Sequence, residues 1–355
     1  MNVKGLVLSG GAGTRLRPIT HTRAKQLVPV AGRPVLFYGL DWMREAGIRE
    51  VGIVVGDTHE EIRAAVGDGS QFGLEVTYLQ QDAPRGLAHA VLIAEEFLGG
   101  DPFCMYLGDN LLRDGIKGFV DQFREGSADA MILLQEVPNP SEYGVAELEG
   151  GRVVRLVEKP KEPRSNLALV GVYLFTQPVF DAAKALQPSW RGELEITDAI
   201  QGLVDAGRVV EPHVVTGWWK DTGRLEDMLE ANRLILDVLD ARNEGTVTDT
   251  RLDGRVSIGE GAIVERCHVR GPAVIGPRTV VRDAYVGPYT ALSEDVVVER
   301  AEIEHSIVME RSRIIGLDAR LEDSLIGADV TITRSAGLPK AHRIMVGDRS
   351  QIEIL

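Results

Sequence analysis

The chain has 355 residues, of which 44% are hydrophobic and 26% charged, and its net charge is −14. At roughly 100–200 residues per domain this is material for two domains with a sizeable core. The acidic balance excludes a nucleic-acid binder, which needs a basic face, and no apolar run reaches the roughly 20 residues that span a bilayer.

The first residues lead straight into a strand without the pattern of a signal peptide. The only cysteines, Cys104 and Cys267, form neither a metal pair nor a disulfide framework, and are expected to be reduced, buried thiols of a cytoplasmic protein. The apolar run 3–8 predicts a strand that ends in a glycine loop. Helix is expected over 34–46, strand over 51–55, helix over 59–66, strand over 74–79, helix over 86–97 and strand over 103–107. This alternation predicts an open, mostly parallel sheet covered by helices. In such sheets ligands sit at the carboxyl ends of the strands, where both the glycine loop and Asp109 fall. Further strands are expected over 130–137, 153–158 and 167–175, and helices over 178–186 and 196–206. Residues 224–240 predict a long helix with Leu225, Met228, Leu229, Leu234, Ile235 and Leu239 as its apolar stripe.

Asn243-Glu244-Gly245 breaks that pattern, and the sequence then repeats. Blocks 259–269, 276–286 and 293–303 recur every 17 residues. Aliphatic residues follow one another five or six apart: Ile258, Val264, Val269, Ile275, Val281, Val286, Leu292, Val298 and Ile303. Three short flat faces per coil, each with one inward aliphatic, predict a β-helix of hexapeptide repeats. A fourth block over 316–326 comes 23 residues after the third, one period plus six, which predicts an inserted face.

The loop Gly10-Gly11-Ala12-Gly13-Thr14-Arg15-Leu16-Arg17-Pro18 can turn backbone N–H groups towards an anion. Arg15 can then grip the β- and γ-phosphates of a triphosphate as a bidentate donor. The loop lacks the Gly-Lys-Ser/Thr of a P-loop and the GxGxxG of a dinucleotide fingerprint. Lys25, ten residues on, lies on the same sheet edge and is expected to contact phosphate.

These residues, with Lys25-Gln26-Leu27-Val28-Pro29, resemble the signature of the sugar-nucleotide pyrophosphorylases. The Lys-Gln-Leu form resembles the thymidylyl branch, where other branches usually carry Lys-Pro. The resemblance extends over about 240 residues through Gln81, Leu107-Gly108-Asp109-Asn110, Tyr143-Gly144-Val145, Glu158-Lys159-Pro160, the stretch 192–198 and Trp219-Lys220-Asp221-Thr222-Gly223. It implies a Rossmann-like nucleotidyltransferase domain over 1–242 and, over 243–355, the left-handed parallel β-helix of long-form members. It also implies transfer of a thymidylyl group from dTTP to glucose 1-phosphate.

Roles follow from the resemblance position by position. Asp109 and Asp221 match the carboxylates that hold Mg²⁺, with Asp221 expected in a loop. Gly10, Gly11, Gly13, Thr14, Arg15, Gln26, Gln81, Gly86 and Asp109 match nucleotide-binding positions. The Gln81 amide is expected both to donate to a base carbonyl and to accept from a ring N–H. Asn110, Tyr143, Gly144, Glu158, Lys159 and Val170 match the sugar-phosphate pocket, with Lys159 on the phosphate and Glu158 on the hydroxyls. Arg15, Lys25 and Lys159 are the expected catalytic cations, and Trp219 is either a cover of the site or a packed aromatic. The same chemistry with UTP or another nucleotide is the nearest alternative. An acyltransferase activity in the coils would have to use His268 or His305, both expected in solvent-facing turns. His21, His59, His89, His213 and His342 lack metal-ligand spacing and are expected to be surface or packing residues. The repeats are expected to assemble copies of the chain into a trimer or tetramer.

Overall fold

The computed structural model describes residues 2–11, 13–334, 337 and 342–354, so Ala12 of the glycine loop lies outside the described residues. Packing divides the chain into two units. One comprises Met1–Ala12, Ala24–Gln26 and Leu36–Asp221; the other comprises Gly13–Arg23, Leu27–Val35 and Thr222–Leu355.

The first unit is built on a nine-stranded sheet. Its main path runs Arg152–Glu158, Gly144–Glu149, Leu167–Phe175, Phe103–Leu107, Lys4–Ser9, Glu50–Val55, Glu75–Gln80. The last four are mutually parallel, as βαβ alternation dictates. Leu167–Phe175 runs antiparallel to Phe103–Leu107 on one side and to Ala130–Glu136 on the other. Val210–Val214 closes that edge, parallel to Ala130–Glu136. The strand Lys4–Ser9 is buried from Gly5 onwards, which is why its apolar run does not alternate. The expected helix over 86–97 is two pieces, Leu87–Ile93 and Glu95–Leu98, broken at Ala94. The helix Lys117–Glu125 and the strands Gly144–Glu149 and Val210–Val214 were not foreseen.

In the second unit three parallel sheets stack short strands coil upon coil, the arrangement of the left-handed β-helix. All nine aliphatics of the five-or-six spacing, Ile258 through Ile303, have no solvent exposure. The first coils keep a 17-residue register, as in Val264↔Val281 and Val281↔Val298. The expected inserted face is absent. Leu292 pairs with Val308 and Val298 with Ile314, one residue short of a period. Ile303 then meets Leu321, Val308 meets Ile326 and Ile314 meets Ile332, one residue over. The fourth block therefore starts at Met309. Gly316 misleads because it fills the left-handed corner that Arg266, Asp283 and Arg300 fill in earlier coils, with φ of 68° against 53°, 49° and 46°. His268, expected in a turn, begins the strand His268–Arg270.

The helix of this unit is Leu225–Leu236, ending before Leu239. Its fully buried positions are Met228, Ala231, Asn232 and Leu236, so the buried face is offset from the expected stripe. Asn232 explains the offset: its Oδ1 accepts from Ala31 N at 2.8 Å and its Nδ2 donates to Tyr289 O at 2.8 Å. A buried amide paid for on both sides pins the helix to the 29–34 hairpin and to a coil.

Candidate active site

The order of the parallel strands reverses between Lys4–Ser9 and Phe103–Leu107, so a crevice opens at their carboxyl ends. Two glycine loops line it. Gly108 N donates to Leu8 O at 2.9 Å, and a Cβ at Gly108 would stand 3.0 Å from that oxygen. Gln26 lies beside both loops, its Cγ 3.5 Å from a Cβ built at Gly108 and its Nε2 3.9 Å from one built at Gly11. Gln26 is 3% exposed. Its Oε1 and the buried Ser9 Oγ have no hydrogen-bond partner among the described residues. Buried polar atoms are rarely left unpaired, so these two mark the crevice as built for a polar ligand.

Lys25 is nearly buried in a short 3-10 turn, Lys25–Leu27. Its ammonium bonds to Asp109 Oδ2 and stands 3.5 Å from Asp221 Oδ1. Asp221 is not in a loop. It ends the strand Trp219–Asp221, which pairs antiparallel with Asn110–Leu112 and sets Asp221 opposite Asn110. That two-stranded ladder brings two carboxylates, distant in sequence, onto one cation. Burial pushes the Asp109 carboxyl up, but the Lys25 charge and hydrogen bonds from Lys25 and Asn110 outweigh it and hold the group below the usual carboxylate range. Among the described residues no cluster of three or more His, Cys, Asp or Glu could hold a metal. Two carboxylates sharing one cation fit Mg²⁺, which takes one or two carboxylates and completes its shell with phosphate and water.

Asn110, 2% exposed, faces inward. Its Nδ2 donates to Asp109 Oδ1 at 2.9 Å. Its Oδ1 accepts from Gly171 N at 3.2 Å and from the Trp219 indole N–H at 2.5 Å. The side chain thus orients Asp109. Gly171 is required there, since a Cβ would lie 2.7 Å from Asn110 Oδ1. Trp219 in turn packs edge-on against Tyr143, ring centroids 5.3 Å apart.

Glu158 ends its strand opposite Gly144. Its Oε2 accepts from Thr197 Oγ1 at 2.7 Å, and Arg191 Nη1 stands 3.5 Å from Oε1. Burial, with a smaller push from the Glu195 charge, raises the Glu158 carboxyl above its ordinary value against the pull of Thr197, Lys159 and Arg191. A Cβ at Gly144 would stand 2.7 Å from Thr197 Oγ1 and 3.1 Å from Glu158 Oε2. Lys159 N donates to Tyr143 O at 3.0 Å, and its backbone is left-handed at φ 41°. A lysine held there is strained, and such strain gathers at functional sites. Val170 is fully buried in its strand. Arg191 and Thr197 had no expected role; the signal was the 192–198 motif, which contains Thr197 and follows Arg191.

Residues 4–238 match the nucleotidyl transferase family. The chain belongs to that family. It is 54% identical to the glucose-1-phosphate thymidylyltransferase of Streptomyces antibioticus and 56% identical to that of Streptomyces griseus, each over 99% of both chains. A solved structure of a candidate glucose-1-phosphate thymidylyltransferase from Bacillus anthracis, in complex with sucrose, superposes with a TM-score of 0.63 at 36% identity. It covers 68% of this chain and 98% of its own.

In this nucleotidyl transferase Gln81 follows the strand Glu75–Gln80, and its Oε1 lies 3.4 Å from a Cβ built at Gly10. Its Nε2 lies 3.3 Å from Gly86 O and 3.1 Å from His89 Nδ1. Gly86 has φ 101° and packs against the Leu194 backbone so closely that a Cβ would stand 2.6 Å from Leu194 N. Only glycine fits. Gly13, Thr14 and Arg15 belong to the other unit. There Gly13 has φ 60° and opens the turn Thr14–Leu16, Thr20 Oγ1 donates to Gly13 O at 2.6 Å, and Arg15 is exposed. No helix among the described residues is long and apolar enough to cross a membrane.

Proposed function

We propose that the protein transfers the thymidylyl group of dTTP to α-D-glucose 1-phosphate, giving dTDP-glucose and pyrophosphate. The observation that carries this reading is the convergence of Asp109 and Asp221 on the Lys25 ammonium at the sheet's reversal point. The full-length relatives of that name support the choice of substrates.

A sugar-phosphate oxygen attacks the α-phosphorus in line, and the bond to pyrophosphate breaks as the new P–O bond forms. The attacking phosphate is already anionic, so neither a general base nor a covalent intermediate is needed. The work is positioning and charge neutralisation. Asp109 and Asp221 would hold Mg²⁺, which when bound offsets charge on the phosphates. Asn110 keeps Asp109 aimed. Lys25 and Arg15 meet the triphosphate, with Gly10, Gly11, Gly13 and Thr14 lending backbone N–H groups. Gln26 presents its unpaired oxygen to the nucleotide, and Gln81 and Gly86 face the base. Lys159 takes the sugar phosphate, while Tyr143, Gly144, Glu158 and the Val170 strand shape the sugar pocket. In this reading residues 1–242 carry the chemistry in the cytoplasm, and 243–355 assemble copies into a trimer or tetramer.

The test is pyrophosphate release from glucose 1-phosphate with dTTP, UTP, ATP, CTP and GTP, in the presence and absence of Mg²⁺. Turnover should need Mg²⁺ and be best with dTTP. A preference for any other nucleotide overturns the thymidylyl assignment.

A further inference from the structure

We propose that the coils serve triphosphate binding as well as the fold: Glu310 holds Arg23, and through it the segment 13–23 that presents Arg15. Glu310 is then a positioning residue for dTTP. The inference rests on the reading above that Arg15 meets the triphosphate.

Gly13–Arg23 packs with the coils and not with the nine-stranded sheet. The segment closes on itself. Gly13 O accepts from Leu16 N at 2.9 Å and from Thr20 Oγ1 at 2.6 Å, and Leu16 is fully buried. A body tied in this way moves as one piece, so whatever holds its end also holds the Arg15 turn. A coil corner holds that end. Arg23 Nη2 donates to Glu310 Oε1. Ile19 Cδ1 lies 3.4 Å from a Cβ built at Gly327, in the coil that follows. Arg349 Nη1 donates to Thr14 O at 3.3 Å.

Glu310 differs from its counterpart one coil earlier. In the register Val297↔Arg313 that counterpart is Glu294. The Glu294 side chain is 50% exposed and pairs with Arg278, whereas that of Glu310 is 13% exposed and faces an Arg23 that is 25% exposed. A charge-assisted bond so shielded is poorly screened by water. Arg311 Nη2 also stands 3.6 Å from Glu310 Oε1, but that guanidinium is committed to Asp329 by two bonds.

The chain next gives three residues, Ala24, Lys25 and Gln26, to the first unit and returns to the second at Leu27. The returning stretch is tied down too, through Ala31 N to Asn232 Oδ1 and Asn232 Nδ2 to Tyr289 O. Arg15 therefore lies within one anchored stretch, and Lys25 lies between two.

The experiment measures kcat and KM for dTTP and for glucose 1-phosphate, with saturating Mg²⁺, in the wild type, Glu310→Gln, Arg23→Gln, the double variant, Glu294→Gln and Arg15→Ala. Thermal melts place every assay below unfolding. KM for dTTP should rise about tenfold in Glu310→Gln and in Arg23→Gln, the scale of one charge-assisted hydrogen bond. KM for glucose 1-phosphate should not move, and Glu294→Gln should behave as wild type. The double variant should be no worse than either single one, because the two residues act through one bond. A purely structural role would lower the melting point and leave KM for dTTP alone. That outcome, with KM for dTTP raised in Arg15→Ala, overturns the inference and leaves the Arg15 contact standing. Multiplying effects in the double variant also overturn it. An unchanged KM for dTTP in Arg15→Ala overturns the triphosphate contact itself.

Discussion

Two regions of the molecule use acids and bases for opposite ends. In the crevice one lysine faces two aspartates, with side-chain exposures of 8%, 19% and 26% for Lys25, Asp109 and Asp221. On the coils the arginines and their carboxylates are more exposed. Arg266 grips Asp283 with two bonds of 2.7 and 2.9 Å, at exposures of 53% and 45%. Arg278 grips Asp295 at 2.9 and 2.8 Å, and Arg311 grips Asp329 at 2.8 Å twice. A cation held between two carboxylates in a poorly hydrated cleft interacts strongly with both. Exposed pairs in water are screened and contribute little. Burial of the charges, not the number of ion pairs, is what separates the crevice from the coils.

The strongest attempt to break this contrast is Asp221→Asn. It keeps the size and the Trp219–Asp221 ladder but removes one charge. Turnover should fall by about 10²–10³-fold, the scale for losing one preorganised electrostatic contact at a transition state. Far-ultraviolet circular dichroism should be unchanged. Near-normal pyrophosphate release would remove Asp221 from the metal site. On the coils the large effects should come from apolar atoms instead. Ile275→Ala opens a cavity in a fully buried column and should cost about 2–5 kcal/mol in denaturant unfolding. A cost below that range would mean the column is loosely packed.

The two regions were unequally legible. In the coils each inward aliphatic follows from local spacing, because every coil repeats one geometry, and all nine proved buried. The spacing misleads where the step changes to sixteen and then eighteen residues, since Gly316 imitates the start of a block while filling a corner. In the first unit the parallel strands were legible from apolar runs. The ladder between 110–112 and 219–221 was not, because a pairing of three residues across such a separation leaves no periodicity. The motif residues of the crevice could be named, but their duties depend on neighbours that sequence does not order. Asn110 spends its amide on Asp109, Gly171 and Trp219. Glu158 leans on Thr197, and Gln81 on His89.

Smaller effects sharpen the contrast inside the sugar pocket. Gly144→Ala forces a methyl against Thr197 Oγ1 and Leu169 Cδ1, 2.7 and 2.8 Å away. It should destabilise by about 1–3 kcal/mol and raise KM for glucose 1-phosphate, with KM for dTTP unaffected. Glu158→Gln separates stability from function. The Glu158 carboxyl is raised in the fold, chiefly by burial, so the folded state holds its proton to higher pH than the unfolded chain does. Stability from this group is present below the ordinary glutamate range and is lost as pH rises through the raised value. The glutamine variant should therefore melt no lower than wild type at pH 7, with a flatter pH slope just above the ordinary glutamate range. Its KM for glucose 1-phosphate should rise about tenfold, the scale of one hydrogen bond. A steeper slope would reverse the sign of the burial argument.

The smallest expected effect tests the other side of the contrast. Arg266 has two properties that could matter to the coil: its ion pair with Asp283 and its left-handed backbone at φ 53°. Arg266→Ala removes the pair and keeps the backbone demand. Arg266→Gly removes the pair and also relieves that demand, since glycine enters the left-handed region without steric penalty. If exposed pairs carry little stability, the alanine variant should melt close to wild type and the glycine variant above the alanine variant. Gly316 is already the glycine solution at the equivalent corner of a later coil. Equal and clearly lowered melting of both variants would instead show that the charged corners hold the coils together. Burial of charge in the crevice would then no longer be what separates the two regions.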